Sequence, residues 1–84
     1  MNQEKERYFQ HYKGGLYKLL CIAKDSETLE NVVVYQAMYK NFEVWVRLEK
    51  NFFSEVIVNG IIISRFREIT KAEFLCLQKQ ILNI

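Results

Sequence analysis

The chain has no proline, three glycines, two cysteines and one histidine in 84 residues. With no proline-rich, glycine-rich or repetitive stretch, nothing reads as a linker, so one small domain is expected. Two cysteines and one histidine are too few for an ordinary four-ligand zinc site, and no metal or cofactor is expected. Cys21 and Cys76 each lie in an apolar run, which predicts two buried thiols rather than a disulfide. No run approaches the ~20 apolar residues of a membrane span. The charged opening Met1 to Arg7 lacks the apolar centre of a signal peptide. A cytoplasmic chain with no membrane partner is therefore expected. Gly14-Gly15 lacks the spacing and the Lys-Ser/Thr ending of a phosphate loop. A net charge of +2 is too weak to argue for nucleic acid by itself.

Apolar and aromatic residues are plentiful. Half the residues are hydrophobic and 14% are aromatic, a folded composition. Val32 to Leu48 reads as two antiparallel strands folded on each other, because Val, Tyr and Trp suit a pleated, half-buried surface. Strand side chains alternate with period two, so loop parity decides which residues share a face. An odd loop sets Ala37 opposite Trp45 and Tyr35 opposite Arg47. An even loop sets Tyr39 opposite Val44, Ala37 opposite Val46 and Tyr35 opposite Leu48. The even loop separates apolar from polar more cleanly and is preferred; it gathers Gln36, Met38, Trp45 and Arg47 on one face. Phe42 tolerates a positive φ poorly, which favours a four-residue loop of even parity over Asn41-Phe42 as a two-residue turn.

Elsewhere, residues 1–7 are expected as a frayed end. Tyr8 to Lys13 reads as a short strand ended by Gly14-Gly15. Leu16 to Lys24 is a second strand, with Tyr17, Leu19, Cys21 and Ala23 on one face and Lys18, Leu20, Ile22 and Lys24 on the other. Asp25 to Asn31 is a polar loop. Glu49 to Ser54 fits either a strand or a single helical turn. Glu55–Val58 and Ile61–Ser64 flank Asn59-Gly60, which fits a type I′ turn because both positions need positive φ. Arg65-Phe66-Arg67 leads away from that hairpin. Thr70-Lys71-Ala72-Glu73 matches a capping box. Phe74, Leu77, Gln78 and Ile81 then recur at helical spacing, which predicts a helix from Lys71 to Leu82 that packs on the sheet or on another subunit.

These elements predict a mainly β fold. It is a small barrel of five or six short antiparallel strands over residues 8–67, with a C-terminal helix in 68–84; the alternative is an open α+β sheet. The segment His11-Tyr12-Lys13-Gly14-Gly15-Leu16-Tyr17 resembles the start of a small bacterial family, domain of unknown function 1653. The likeness continues through Ser26-Glu27-Thr28-Leu29-Glu30, Val33 to Tyr39, Trp45-Val46-Arg47, Gly60 and Arg65-Phe66, and covers about residues 9–67. It implies an SH3-like β-barrel and carries no activity with it. The family usually has glycines where this chain has Lys40-Asn41-Phe42, and a proline where it has Leu48.

For function, small barrels host many unrelated activities, and no catalytic constellation is visible. A non-catalytic binding module for a protein, peptide or small carboxylate ligand is the leading expectation. Its patch comprises Tyr17, Gln36, Trp45 and Arg47, with His11 at one edge and Glu27 in the neighbouring polar loop, since Trp and Arg are common binding anchors. A second reading is nucleic-acid binding, with tyrosines as stacking platforms. A third is an enzyme that pairs His11 with Glu27 or Glu30 for acid–base work. A homodimer is a further expectation, because a small domain with an amphipathic helix has apolar surface to cover.

Overall fold

A computed structural model describes residues 6–82, the side chain of Leu82 excepted. Among these residues the order is β1 (Arg7–His11), β2 (Leu16–Lys24), β3 (Asn31–Ala37), β4 (Val44–Leu48), α1 (Glu49–Phe52), β5 (Glu55–Val58), β6 (Ile61–Ser64), β7 (Phe66–Ile69) and α2 (Lys71–Leu82). Five strands form one antiparallel sheet in the order β4-β3-β2-β1-β7, and β5 and β6 form a separate hairpin. The class is mainly β with a C-terminal helix, as the sequence predicts. Hydrogen bonding does not close the sheet into a barrel; among the described residues β4 and β7 are its edges. The frayed end expected for residues 1–7 lies outside the described residues for 1–5, while Arg7 already begins β1.

Directly opposed residues share a face, so the register defines two faces. Phe9, Tyr17, Leu19, Val33, Tyr35, Trp45, Arg47 and Phe66 stand on the inner face. Tyr8, Leu16, Val34, Gln36, Val44, Val46 and Ile69 stand on the outer face. The inner core is Phe9, Val33, Tyr35, Phe52 and Phe66, with Tyr17 and Leu19 packed against it. Phe52 comes from α1, has no exposed surface, and stacks on Phe66 with centroids 4.0 Å apart. The ambiguous stretch 49–54 is thus a helical turn: it buries Phe52 and leaves Phe53 outside. Burying one such side chain contributes about 1.5–3 kcal/mol.

The outer face is covered only in part. Phe74 of α2 stacks on Tyr8 at 4.2 Å, and Leu77 and Ile81 pack with Leu16, Ile69 and Met38. The helix starts where the sequence predicts, because the Thr70 hydroxyl accepts from the Glu73 amide at 3.0 Å. The reciprocal half of the capping box is replaced: the Glu73 carboxylate accepts from Arg67 instead. The Asn59-Gly60 turn also forms as predicted, with φ of 51° and 77°.

Three expectations are corrected. The β3–β4 loop has odd parity. Trp45 is opposite Tyr35 and Arg47 opposite Val33, in each case two residues earlier than the odd pairing anticipates. Lys40 and Phe42 both take positive φ, 52° and 54°, which lets a wide loop return the chain where a two- or four-residue turn would not. The β2 alternation is also broken. A bulge between Leu19 and Cys21 carries Cys21 and Ala23 to the outer face. Cys21 is consequently exposed rather than buried; Cys76 is exposed for a separate reason, lying two residues from buried Phe74 on the far side of α2. Finally, Phe66 does not lead outward but begins β7, which pairs with β1 through Ile69.

Candidate functional site

The inner face ends in a group of aromatic rings and cations near the β1–β2 turn. His11 closes β1, and its amide donates to the Gly15 carbonyl at 2.8 Å. Gly14 adopts φ of 109°, which favours glycine. Gly15 is needed for a different reason. A Cβ there would meet Tyr17 Cε2 and Oη at 3.0 Å and Tyr39 Oη at 3.1 Å. Those two hydroxyls are hydrogen-bonded at 2.6 Å. Burial first, and then that bond, push the Tyr17 phenol well above its ordinary range, so it stays protonated.

Around the tyrosine pair, His11 lies 4.8 Å from Phe66 and 6.5 Å from Tyr17, centroid to centroid. Tyr17, Tyr35 and Phe66 meet edge to face at 5.4–5.6 Å, a preferred aromatic geometry. Arg47 reaches over this group: its guanidinium lies 5.4 Å from the Phe66 ring. Its Nε donates to Tyr35 Oη at 3.3 Å and its Nη1 to Asn51 Oδ1 at 2.6 Å. Arg65 donates to Ser54 Oγ at 3.0 Å. Among the described residues, Arg47, Arg65 and Lys13 have no carboxylate partner, as is also true of Lys24, Lys40 and Lys79, whereas Arg7, Lys18, Lys50, Arg67 and Lys71 each have one.

That imbalance is felt by His11. Burial first, then the charges of Arg47, Arg65 and Lys13, hold its imidazole below the ordinary 6.5. Its Nδ1 accepts from the Lys13 amide at 3.2 Å. His11 and Tyr12 also line a groove of about 600 Å³ that runs towards Ile62, Ile63 and Ser64 of the hairpin.

Of the predicted patch, the fold brings together His11, Tyr17 and Arg47, with Trp45 beside Tyr35 on the same face and 49% exposed. Gln36 is turned to the outer face, where its amide donates to the Phe42 carbonyl at 3.0 Å. Met38 lies under α2. Arg47 bonds neither Glu49 nor Glu55, and α2 packs away from Trp45. Glu27 sits past the far end of β2 from His11. Nine strand residues at ~3.3 Å each put roughly 25 Å between those ends. Within that loop, Asp25 Oδ1 accepts from the Glu27 and Thr28 amides at 2.8 and 3.2 Å, and Glu30 pairs with Lys50. The acid–base pairing of His11 with Glu27 or Glu30 is not formed. Among the described residues no cluster of His, Cys, Asp and Glu could hold a metal ion, and no helix is long and apolar enough to cross a membrane.

Asn51, Arg65, Phe66 and Tyr39 complete the site. Sequence spacing does not link them to His11, because each arrives from a separate element. The family resemblance, which runs through Tyr39 and Arg65-Phe66, is the one sequence signal that touches three of them.

Comparison with known proteins places this arrangement. A crystal structure of a protein belonging to DUF1653 from Bordetella bronchiseptica is similar, with a TM-score of 0.70 and 29% identity. The likeness covers 80% of this chain and 88% of that one. No curated protein matches. The model of the DUF1653 family of proteins of unknown function matches residues 7–68, from the start of β1 almost to the end of β7, and the chain belongs to that family.

Proposed function

We propose that the protein is a non-catalytic binding module whose inner face receives an anionic group, such as the carboxylate of a peptide or small molecule. The observation that carries this reading is the set of cations without carboxylate partners around His11, next to half-exposed Trp45. Among the described residues Lys24, Lys40 and Lys79 also lack a carboxylate partner, but only Arg47, Arg65 and Lys13 bring their charge to bear on His11. Here the acceptors are neutral: a phenol, an amide and a hydroxyl. Arg47 is pre-oriented by two hydrogen bonds and by the Phe66 ring, so little side-chain entropy is lost when it grips a planar anion. Trp45 supplies an apolar wall beside it. An enzyme reading would need a base and an acid bonded to one another, and the His11 ring is bonded by the Lys13 amide rather than by Glu55, the carboxylate that lines the same groove.

The test uses Trp45, the only tryptophan, as reporter. A free carboxylate peptide, inorganic phosphate and a single-stranded RNA oligonucleotide are titrated against the wild type and against Trp45→Ala and Arg65→Met, with calorimetry for the variant that lacks the fluorophore. Saturable binding of the peptide that both variants lose while remaining folded supports the reading. Binding of the oligonucleotide alone, with a steep salt dependence, favours a nucleic-acid module. Loss of folded structure in Trp45→Ala would make that residue structural.

A further inference from the structure

We propose that the Arg47 site selects a carboxylate followed, after a short spacer, by an apolar ring; the inference rests on the anion reading above and names the ligand class. The first observation is that hydrogens without acceptors gather around Arg47. Its Nε donates to Tyr35 Oη and its Nη1 to Asn51 Oδ1, which leaves the Nη2 hydrogens. Asn51 accepts with Oδ1, so its Nδ2 hydrogens are the free end of that amide. Tyr35 accepts from Arg47, so its own hydroxyl proton needs a further acceptor, and at 5% exposure the residue has little access to water. Among the described residues none of these donors is taken up by a protein acceptor. A carboxylate offers acceptors only, and its planar pair of oxygens matches the guanidinium fork. A neutral amide or an amine would set hydrogens of its own against these donors.

Register fixes the apolar half. Trp45 and Arg47 are alternate residues of β4, opposite Tyr35 and Val33, so both stand on the inner face about 6.6 Å apart along the strand. β4 is an edge of the sheet, and Trp45 is 49% exposed although it stands on the core side. A carboxylate held by Arg47 therefore carries the next atoms of its ligand along the Trp45 ring. A ring joined to the carboxyl carbon through about two further carbons, at ~1.5 Å per bond, reaches across that gap. A ring attached directly falls short. This spacing is found both in a polypeptide that ends in phenylalanine and in the free acid hydrocinnamate.

The experiment titrates acetate, benzoate, hydrocinnamate, its neutral amide and N-acetylphenylalanine, by calorimetry and by NMR of the His11 imidazole. The His11 midpoint reports the carboxylate, because His11 feels the charge of Arg47. The two longer acids should bind about tenfold more tightly than acetate or benzoate, since they cover a ring on Trp45. The neutral amide should not bind. Trp45→Ala should abolish the advantage of the longer acids while acetate still raises the His11 midpoint. Trp45 fluorescence in the wild type should respond to hydrocinnamate and not to acetate, a readout that stands even where Trp45→Ala fails to fold. Tighter binding of N-acetylphenylalanine than of hydrocinnamate identifies a polypeptide end as the ligand, and the reverse a free acid. Acetate or benzoate binding as tightly as the longer acids overturns the proposal and leaves the anion reading intact, and so does a Trp45 signal that ignores hydrocinnamate. Equal binding of the neutral amide, or a His11 midpoint that no acid moves, overturns the anion reading as well.

Discussion

Arg47 and Phe66 belong to strands at opposite edges of the five-stranded sheet, yet the guanidinium lies 5.4 Å from the ring. The sheet therefore curls until its edges nearly meet over the inner core. Strand twist favours such coiling. Phe52 fills the remaining gap, touching Phe9, Tyr35 and Phe66. Ser54 and Arg65 tie the ends of the β5–β6 hairpin together by backbone and side-chain bonds. The seam is thus side chains and a helical turn rather than a ladder of backbone bonds.

Stability should depend steeply on that plug. Phe52→Ala is expected to cost about 3–5 kcal/mol through lost burial and the cavity left behind. Phe53→Ala, at a half-exposed neighbour, should cost no more than about 1 kcal/mol. Urea denaturation of the two variants measures the difference, and equal losses would contradict the assigned packing.

Gly15→Ala probes the tyrosine pair. Its methyl group would press on both Tyr17 and Tyr39, which are bonded to each other. Overpacking of this kind costs about 1–3 kcal/mol. The near-ultraviolet circular dichroism of the tyrosines should change as the hydroxyls separate. Peptide binding at the inner face should weaken even where the variant is folded.

Phe42→Gly is expected to stabilise the protein by about 1 kcal/mol. A left-handed backbone costs a side-chain-bearing residue about 1–2 kcal/mol, part of which glycine's greater unfolded freedom offsets. Phe42 sits at φ of 54° with its ring 43% exposed, so the relief of backbone strain is set against the loss of only part of a buried ring. A higher midpoint in urea at unchanged slope is the expected outcome; a lower one would show that the ring packs more firmly than its exposure indicates.

His11 gives the pH dependence. Its folded pKa lies below the ordinary 6.5. Its contribution to stability is therefore complete above pH 6.5 and is lost as pH falls from there through the folded value, since the unfolded chain then binds the proton more tightly. The single imidazole can be followed by NMR, and His11→Gln should remove this slope from the stability profile. An anion held by Arg47 and Arg65 should raise the His11 midpoint. A midpoint at or above 6.5 without ligand would contradict the site's electrostatics.

Local rules were legible in the residues themselves. Asn59-Gly60 specifies its turn because few other residues accept two positive φ angles, and Thr70 starts α2 because its hydroxyl meets a free amide one turn on. The 3.6-residue spacing of Phe74, Leu77 and Ile81 named the packed face of that helix before any partner was known. The strand bounds of β2 follow from Gly15 and Asp25 on either side.

Tertiary structure decided what depends on partners. One bulged residue in β2 moved Cys21 from the expected interior to the surface, since a period-two pattern reverses with a single insertion. Two positive φ angles in the 37–43 loop set the β3–β4 register and carried Trp45 and Arg47 inward, away from Gln36. The convergence of His11, Arg47, Arg65 and Phe66 arises only when the sheet curls. Each comes from a different strand or connection, and no spacing along the chain encodes a distance across it.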